Sequence, residues 1–220
     1  MGCLNASQPG AVATNAEIIA TSQPVYHLLK DLGVNATVLM PPGASPHHWS
    51  PSYQDILAME RAQYVFATNR ILEPWARGNV VYLFPTQKNS HTWLVPTYIR
   101  AAIQKVCSRV SCKRTDLNVS CESLKGLRVL QLFPTLDPMA EACGFEVETI
   151  ALSPEALPSN YVEQCRGRCV LVPSIVPQHV IQHLKDNGCE VVVFDPLMTD
   201  GYQKGFPELV QKIKACARPG

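Results

Sequence analysis

Pro41-Pro42-Gly43-Ala44-Ser45-Pro46-His47-His48-Trp49-Ser50 separates two segments of different character. Residues 34–40 before it form an apolar run that reads as a strand. After it, Ser50 stands as an N-cap and Pro51 as the first helical residue, so residues 51–61 read as a helix. Between them lies a proline-stiffened loop carrying two imidazoles and an indole. Strand, rigid loop, helix is the unit of an open α/β fold, and such folds bind ligands in the loops at the carboxyl ends of strands. The loop therefore reads as the lip of a metal site that the rest of the chain must complete.

The same alternation extends outward in both directions. Upstream, residues 17–21 form an apolar strand. Pro24 then opens an amphipathic helix that Gly33 closes, and His27 falls on its outer surface in this reading. Downstream, residues 63–68 and 79–84 read as strands around a short helix over residues 69–76. A second loop follows, Asn89-Ser90-His91-Thr92-Trp93-Leu94-Val95-Pro96, and again carries a histidine and a tryptophan. Pro96 starts a helix to about residue 111. The polar stretch 111–125 has little periodicity. Beyond it strands recur at 127–132, 146–152, 168–172 and 190–194, with helices between them, and a last helix runs over residues 206–216.

The expected fold class is α/β: two small lobes, each a mostly parallel sheet covered by helices, joined by a rigid connecting helix, with a cleft between them. The boundaries are an N-terminal tether at 1–15, a first lobe at 16–96, a connecting helix and linker at 97–126, and a second lobe at 127–220.

Composition narrows the function. The 220 residues are 46% hydrophobic with a net charge of +1, which favours neither nucleic acid nor an acidic membrane surface as partner. No apolar run reaches transmembrane length. Nine cysteines occur without a CxxC pair. The close pairs, Cys107/Cys112 and Cys165/Cys169, lack zinc-ribbon spacing, so disulfides in an oxidising compartment are expected. The odd count leaves at least one cysteine free or modified. Met1-Gly2-Cys3 admits two readings, the remnant of a lipoprotein lipidation signal or an accidental cysteine.

Three strand-end loops offer metal-binding side chains: His47 with His48, His91, and Asp195 in Phe194-Asp195-Pro196-Leu197-Met198-Thr199-Asp200. Imidazole nitrogen and carboxylate oxygen converging from rigid elements suit zinc and related ions. Trp49 and Trp93, each two residues from a site histidine, are expected beside the cleft. Asp200 either fixes the Asp195 loop or caps the next turn. His179 and His183 are spaced i, i+4 but read as a solvated helix face. Asn5, Asn35 and Asn118 head N-x-Ser/Thr sequons, which in a bacterial protein read as chance.

These segments resemble a known family. Pro41-Pro42-Gly43-Ala44-Ser45-Pro46-His47 followed by Trp49-Ser50-Pro51-Ser52-Tyr53-Gln54-Asp55-Ile56 looks like the PPGxSPHxYEPTPSDI segment of the zinc/manganese solute-binding proteins of bacterial ABC transporters, the ZnuA/TroA-like cluster. Ser90-His91-Thr92-Trp93-Leu94-Val95-Pro96 is similar to that family's DPHxWLxP, and Asp195-Pro196-Leu197-Met198-Thr199 to its LDPLGT. Ala151-Leu152-Ser153-Pro154-Glu155 matches its segment after the second strand of lobe two. The segments occur in family order, and the resemblance spans residues 16–216 of a shortened member.

The resemblance implies His47, His91 and Asp195 as metal ligands and a two-lobe fold. It also exposes departures. The family's third ligand, a histidine after the first strand of lobe two, falls on Phe133, and the acidic residue of some members falls on Pro173. Water or His48 is left to complete the coordination. Some zinc-binding members join two cysteines that match Cys169 and Cys216, which implies a disulfide here. The implied function is extracytoplasmic binding of Zn²⁺, alternatively Mn²⁺, and delivery to an ABC permease by a monomer without catalytic activity. Its place is the periplasm or the outer face of the cytoplasmic membrane, with Cys3 as the candidate lipid anchor. Two alternatives stand: a degenerate member acting as a surface interaction protein, which Phe133 keeps open, and a metal-dependent hydrolase using the open position of a His₂Asp site.

Overall fold

The computed structural model describes residues 17–44, 49–86 and 91–219. His47, His48, the 1–15 tether and Cys3 lie outside the described residues.

Two sheets carry the chain. In the first, β1 (Ile18–Ala20), β2 (Thr37–Val38), β3 (Tyr64–Ala67) and β4 (Val80–Tyr82) pair in the order β2-β1-β3-β4, all parallel. In the second, β5 (Leu127–Gln131), β6 (Glu146–Thr149), β7 (Cys169–Pro173) and β8 (Glu190–Phe194) pair in the order β6-β5-β7-β8, again parallel. A two-residue strand, β9 (Arg218–Pro219), adds to β5 antiparallel. The two sheets therefore repeat one topology. His91 and Asp195 occupy equivalent places in it, each in the loop after the fourth strand of its sheet.

Helices α1 (Gln23–Asp31), α2 (Tyr53–Arg61) and α3 (Pro96–Cys107) belong to the first half. Helices α4 (Asp137–Cys143), α5 (Tyr161–Cys165), α6 (Gln178–Asp186) and α7 (Tyr202–Cys216) belong to the second. The largest apolar core runs across both halves. It takes Leu28 and Leu29 of α1, Trp93 and Leu94, Ile99 and Val106 of α3, Met139 of α4, and Phe194, Tyr202, Phe206 and Ile213 around α7. A shared interior of this kind opposes free hinging of one sheet against the other, because any opening exposes apolar surface at about 25 cal/mol per Å².

Four disulfides reinforce the framework: Cys107–Cys112, Cys121–Cys143, Cys165–Cys189 and Cys169–Cys216, with Cα–Cα distances of 5.2–5.7 Å. The last ties the end of α7 to the start of β7.

Several element boundaries differ from the expectation, each for a local reason. Helix α2 is capped by Ser52, not Ser50: Ser52 Oγ accepts from the Asp55 amide at 3.2 Å, and Asp55 accepts from the Ser52 amide at 2.7 Å. This reciprocal capping box outcompetes Pro51 as the helix start. Residues 69–76 form turns instead of a helix. Asn69 Oδ1 accepts from the amides of Ile71 and Leu72, both at 3.0 Å, and Pro74 has no amide to continue a helical ladder. Helix α3 stops at Cys107, just where the Cys107–Cys112 bridge folds the chain back. Helix α7 starts at Tyr202, four residues early, with Pro207 inside it. Its first turn is supported from the other half of the molecule, as described below.

Candidate metal centre

Asp195 directly follows β8 and closes its own loop. Its Oδ1 accepts from the Leu197 amide at 2.9 Å, and its Oδ2 from the Thr199 amide at 2.6 Å and the Thr199 hydroxyl at 2.5 Å. Wrapping the chain this tightly sets Met198 at φ +53°, the one left-handed non-glycine among the described residues. Such a conformation stores on the order of 1 kcal/mol. A carboxylate has about four lone-pair directions. Donors among the described residues take three of them, all but one direction on Oδ1.

Trp93 joins this loop to the histidine loop. His91 stands at the start of a 3-10 turn over Thr92–Leu94, with its ring centroid 5.0 Å from that of Trp93. The Trp93 Nε1–H donates to the Pro196 carbonyl at 2.7 Å, between residues 103 apart in sequence. Trp93 is fully buried. The tryptophan therefore touches His91 on one side and, on the other, the residue next to Asp195.

A second grip comes from α1. Asp31 Oδ2 accepts from the Gln203 amide at 3.0 Å, capping the first turn of α7 from the opposite half of the molecule. Gly201 gives this approach its room: at φ +80°, an added Cβ there would lie 2.7 Å from Asp31 Oδ1. This contact explains the early start of α7, which sequence reading placed at Phe206.

His27, expected on the outer surface, is only 8% exposed. Helix α1 lies between the first sheet and α7, so it is buried on most of its faces. Burial lowers the pKa of His27 first, and Lys30 lowers it further, while Asp195, Asp31 and Asp200 oppose both. Beside it Tyr202 is fully enclosed, and its hydroxyl has no hydrogen-bond partner among the described residues. Burial raises the Tyr202 pKa well above the usual phenol range, and the charges of Asp31 and Asp195 add to the effect. Sequence reading missed both residues. The signal available was that His27 lies four residues before Asp31, one turn up the same helix face.

The remaining expected residues take other places. Trp49 packs edge-on against Trp75, with centroids 4.9 Å apart. Asp200 is exposed and pairs with Lys204 at 3.2 Å; the loop is tied by Thr199 instead. Phe133 is buried in the apolar cluster of the second sheet with Ile150, Ala151 and Val176, and it brings no donor atom to the cleft. His179 and His183 are both exposed on α6. Among the described residues, no group of three His, Cys, Asp or Glu side chains converges as a metal site. His91 and Asp195 are the two candidate ligands that lie within the described residues.

Beneath the loops of the first sheet sits a buried carboxylate that the sequence did not mark. Glu73 Oε2 accepts from the Thr21 hydroxyl at 2.7 Å and the Thr68 amide at 2.6 Å, and Oε1 from the Thr68 hydroxyl at 2.8 Å. Burial raises its pKa, and the hydrogen bonds from Thr21, Thr68 and Ser22 oppose the rise. It staples the carboxyl ends of β1 and β3 together, at the point where the strand order reverses. In the second sheet Gln131 ties the end of β5 to the end of β6 and to the start of α4, donating to Thr149 and Asp137 and accepting from the Leu136 amide.

Residues 18–83 match the family model described as ZnuA, zinc-uptake complex component A, periplasmic. Comparison with curated protein sequences gave no match. Solved structures align over nearly the whole chain. ZnuA superposes with a TM-score of 0.70 at 17% identity, over 91% of this chain and 98% of the other. The laminin-binding protein Lmb of Streptococcus agalactiae, described as bifunctional with adhesin and metal-transporting activity, gives 0.67 at 16% identity, over 91% and 97%. The periplasmic zinc-binding protein TroA of Treponema pallidum gives 0.64 at 12% identity, over 91% and 98%. From β1 through β4 this chain carries the sequence pattern of the ZnuA family, and over both lobes it has the fold of the family's solved members.

Proposed function

We propose that this protein is an extracytoplasmic metal-binding protein that carries Zn²⁺, with Mn²⁺ as the alternative cargo, to the permease of an ABC importer, and that it is not an enzyme. His47, His91 and Asp195 hold the ion. Asp195 contributes a single oxygen, Oδ1, since Oδ2 is committed to Thr199. Water or His48 fills the position that Phe133 leaves without a donor. The observation that carries this reading is Trp93, which touches His91 and holds the backbone beside Asp195. Two loops from different sheets are thereby kept in fixed relation.

The family match over residues 18–83 and the described roles of ZnuA, Lmb and TroA support metal carriage. Both imidazoles must be neutral to ligate, so affinity falls as pH drops through the histidine range. The shared core and the two inter-lobe contacts favour release by a local shift of the Asp195 loop over wide opening of the lobes.

The test is calorimetric titration of the purified, metal-stripped protein with Zn²⁺ and Mn²⁺, together with elemental analysis of the protein as isolated. One ion per chain, lost in His47→Ala, His91→Ala and Asp195→Ala, is the expected result. Phe133 favours the second reading, a surface interaction protein that has given up transport, and the adhesin activity of Lmb is consistent with it. Absence of zinc binding at micromolar concentrations would select that reading over carriage.

A further inference from the structure

We propose that Asn118 is a site of N-linked glycosylation, modified by an oligosaccharyltransferase of the bacterial kind from a polyprenyl-diphosphate-linked oligosaccharide. The inference does not depend on the metal site.

Three N-x-Ser/Thr sequons occur, and a sequon alone is a weak signal. Bacterial transferases also require an acidic residue two positions before the asparagine. Asn5 has Cys3 there and Asn35 has Gly33. Asn118 has Asp116, within Asp116-Leu117-Asn118-Val119-Ser120. One of the three therefore meets the longer rule.

The structure presents this segment in the form such an enzyme reads. Residues 113–121 adopt neither helix nor strand. Side chains alternate: Leu117, Val119 and Cys121 are buried in the main core, whereas Asp116, Asn118 and Ser120 are all exposed. The acidic residue, the acceptor amide and the hydroxyl thus share one outward face. The Val119 amide donates to the Leu117 carbonyl at 3.0 Å, so the backbone turns tightly about Asn118 and projects it. The segment is anchored on both sides. The Lys113 amide donates to the Leu32 carbonyl at 2.8 Å, Arg100 donates to the Val119 carbonyl at 3.1 Å, and Cys121 is bridged to Cys143. Asn118 also lies beside α3, whose Arg100 holds the neighbouring Val119 carbonyl. Four disulfides place folding in an oxidising compartment, where such transferases act.

The reaction balances without a redox partner. The Asn118 Nδ2 forms a bond to the anomeric carbon of the oligosaccharide as the bond from that carbon to the diphosphate oxygen breaks. Polyprenyl diphosphate departs, and one amide proton passes to a base of the transferase.

The test is mass spectrometry of the protein recovered from its native cells. After reduction of the disulfides, trypsin releases residues 115–125 as one peptide. A hexose- or N-acetylhexosamine-containing mass on Asn118, removed in Asn118→Gln and lost in Asp116→Ala, is the expected result, with the Asn35 peptide unmodified. Ser120→Ala gives the same loss by a third route. All three positions are exposed, so the variants fold, and unchanged thermal unfolding of each checks it. An unmodified 115–125 peptide from native cells overturns the proposal, as does a glycan that persists in Asp116→Ala.

Discussion

The indole of Trp93 donates to the Pro196 carbonyl at 2.7 Å, and this bond joins the loop after the fourth strand of one sheet to the loop after the fourth strand of the other. Because the two sheets share one topology, the bond links equivalent points of a repeated architecture. Its donor and acceptor flank the two candidate ligands that lie within the described residues. The bond is fully buried, so neither partner can turn to water if the other is removed.

Trp93→Phe keeps most of the apolar contact but strands the Pro196 carbonyl. Leaving a buried acceptor unpaired costs about 1–3 kcal/mol, and the smaller ring adds a packing loss. We expect a lower midpoint in denaturant with an unchanged slope, and weaker zinc binding in calorimetry. Loss of stability with unaltered affinity would separate the tryptophan from the site and leave it a core residue only.

The Asp31–Gln203 bond makes a second prediction, about coupling between the halves. Asp31→Ala removes the cap of α7 and should cost about 1 kcal/mol. Gly201→Ala should cost more, since alanine is strained at φ +80° and its Cβ would lie 2.7 Å from Asp31 Oδ1. The double variant should lose less than the two costs combined, because removing the carboxylate relieves the clash. Additive losses in chemical denaturation would mean that Gly201 is required for its backbone angle alone.

His27 sets a pH dependence whose sign follows from its burial. Its pKa in the folded protein lies below the ordinary value of 6.5, with desolvation the largest cause. At high pH the ring is neutral in both states and contributes nothing. As pH falls below about 6.5 the unfolded chain takes up the proton first, so stability declines until the folded pKa is passed. His27→Gln should flatten this part of the stability profile of the metal-free protein, measured by denaturant unfolding across the acid range. A slope identical to wild type would assign the acid sensitivity elsewhere.

The architecture was legible where periodicity and punctuation agree. Residues 63–68 and 190–194 run apolar as strands should, and Gly33, Gly144 and Gly188 close helices where expected, whereas of the strand expected over 34–40 only Thr37–Val38 pairs. What sequence could not supply were contacts between distant residues. Nothing local to Tyr202 announces a cap offered by Asp31, so the sequence puts the start of α7 at Phe206. Nothing near Glu73 announces Thr21 and Thr68 as partners, so its turn passed for a helix. His27 looked exposed because the helical pattern shows one apolar face, and α1 is covered on a second face by α7. The site is read from the His47, His91 and Asp195 loops, by residue type at strand ends and then by resemblance. The residues behind them, Trp93 as a bridge and Thr199 as a tie, became visible only with the loops closed.

Thr199 carries the last prediction. Its amide and hydroxyl both donate to Asp195 Oδ2, at 2.6 and 2.5 Å. Thr199→Val preserves shape and the amide bond but deletes the hydroxyl. Asp195 then has a free direction on Oδ2 and one less restraint on its plane. Partners that orient a metal-binding carboxylate typically account for about 10–100-fold in affinity. We therefore expect zinc affinity to fall by about 10-fold while stability changes by about 1 kcal/mol, the usual worth of one hydrogen bond. Thr199→Ser, which restores the hydroxyl, should recover most of the affinity. If valine and serine variants bind zinc alike, the hydroxyl does not orient Asp195, and the single-oxygen coordination inferred for that residue fails with it.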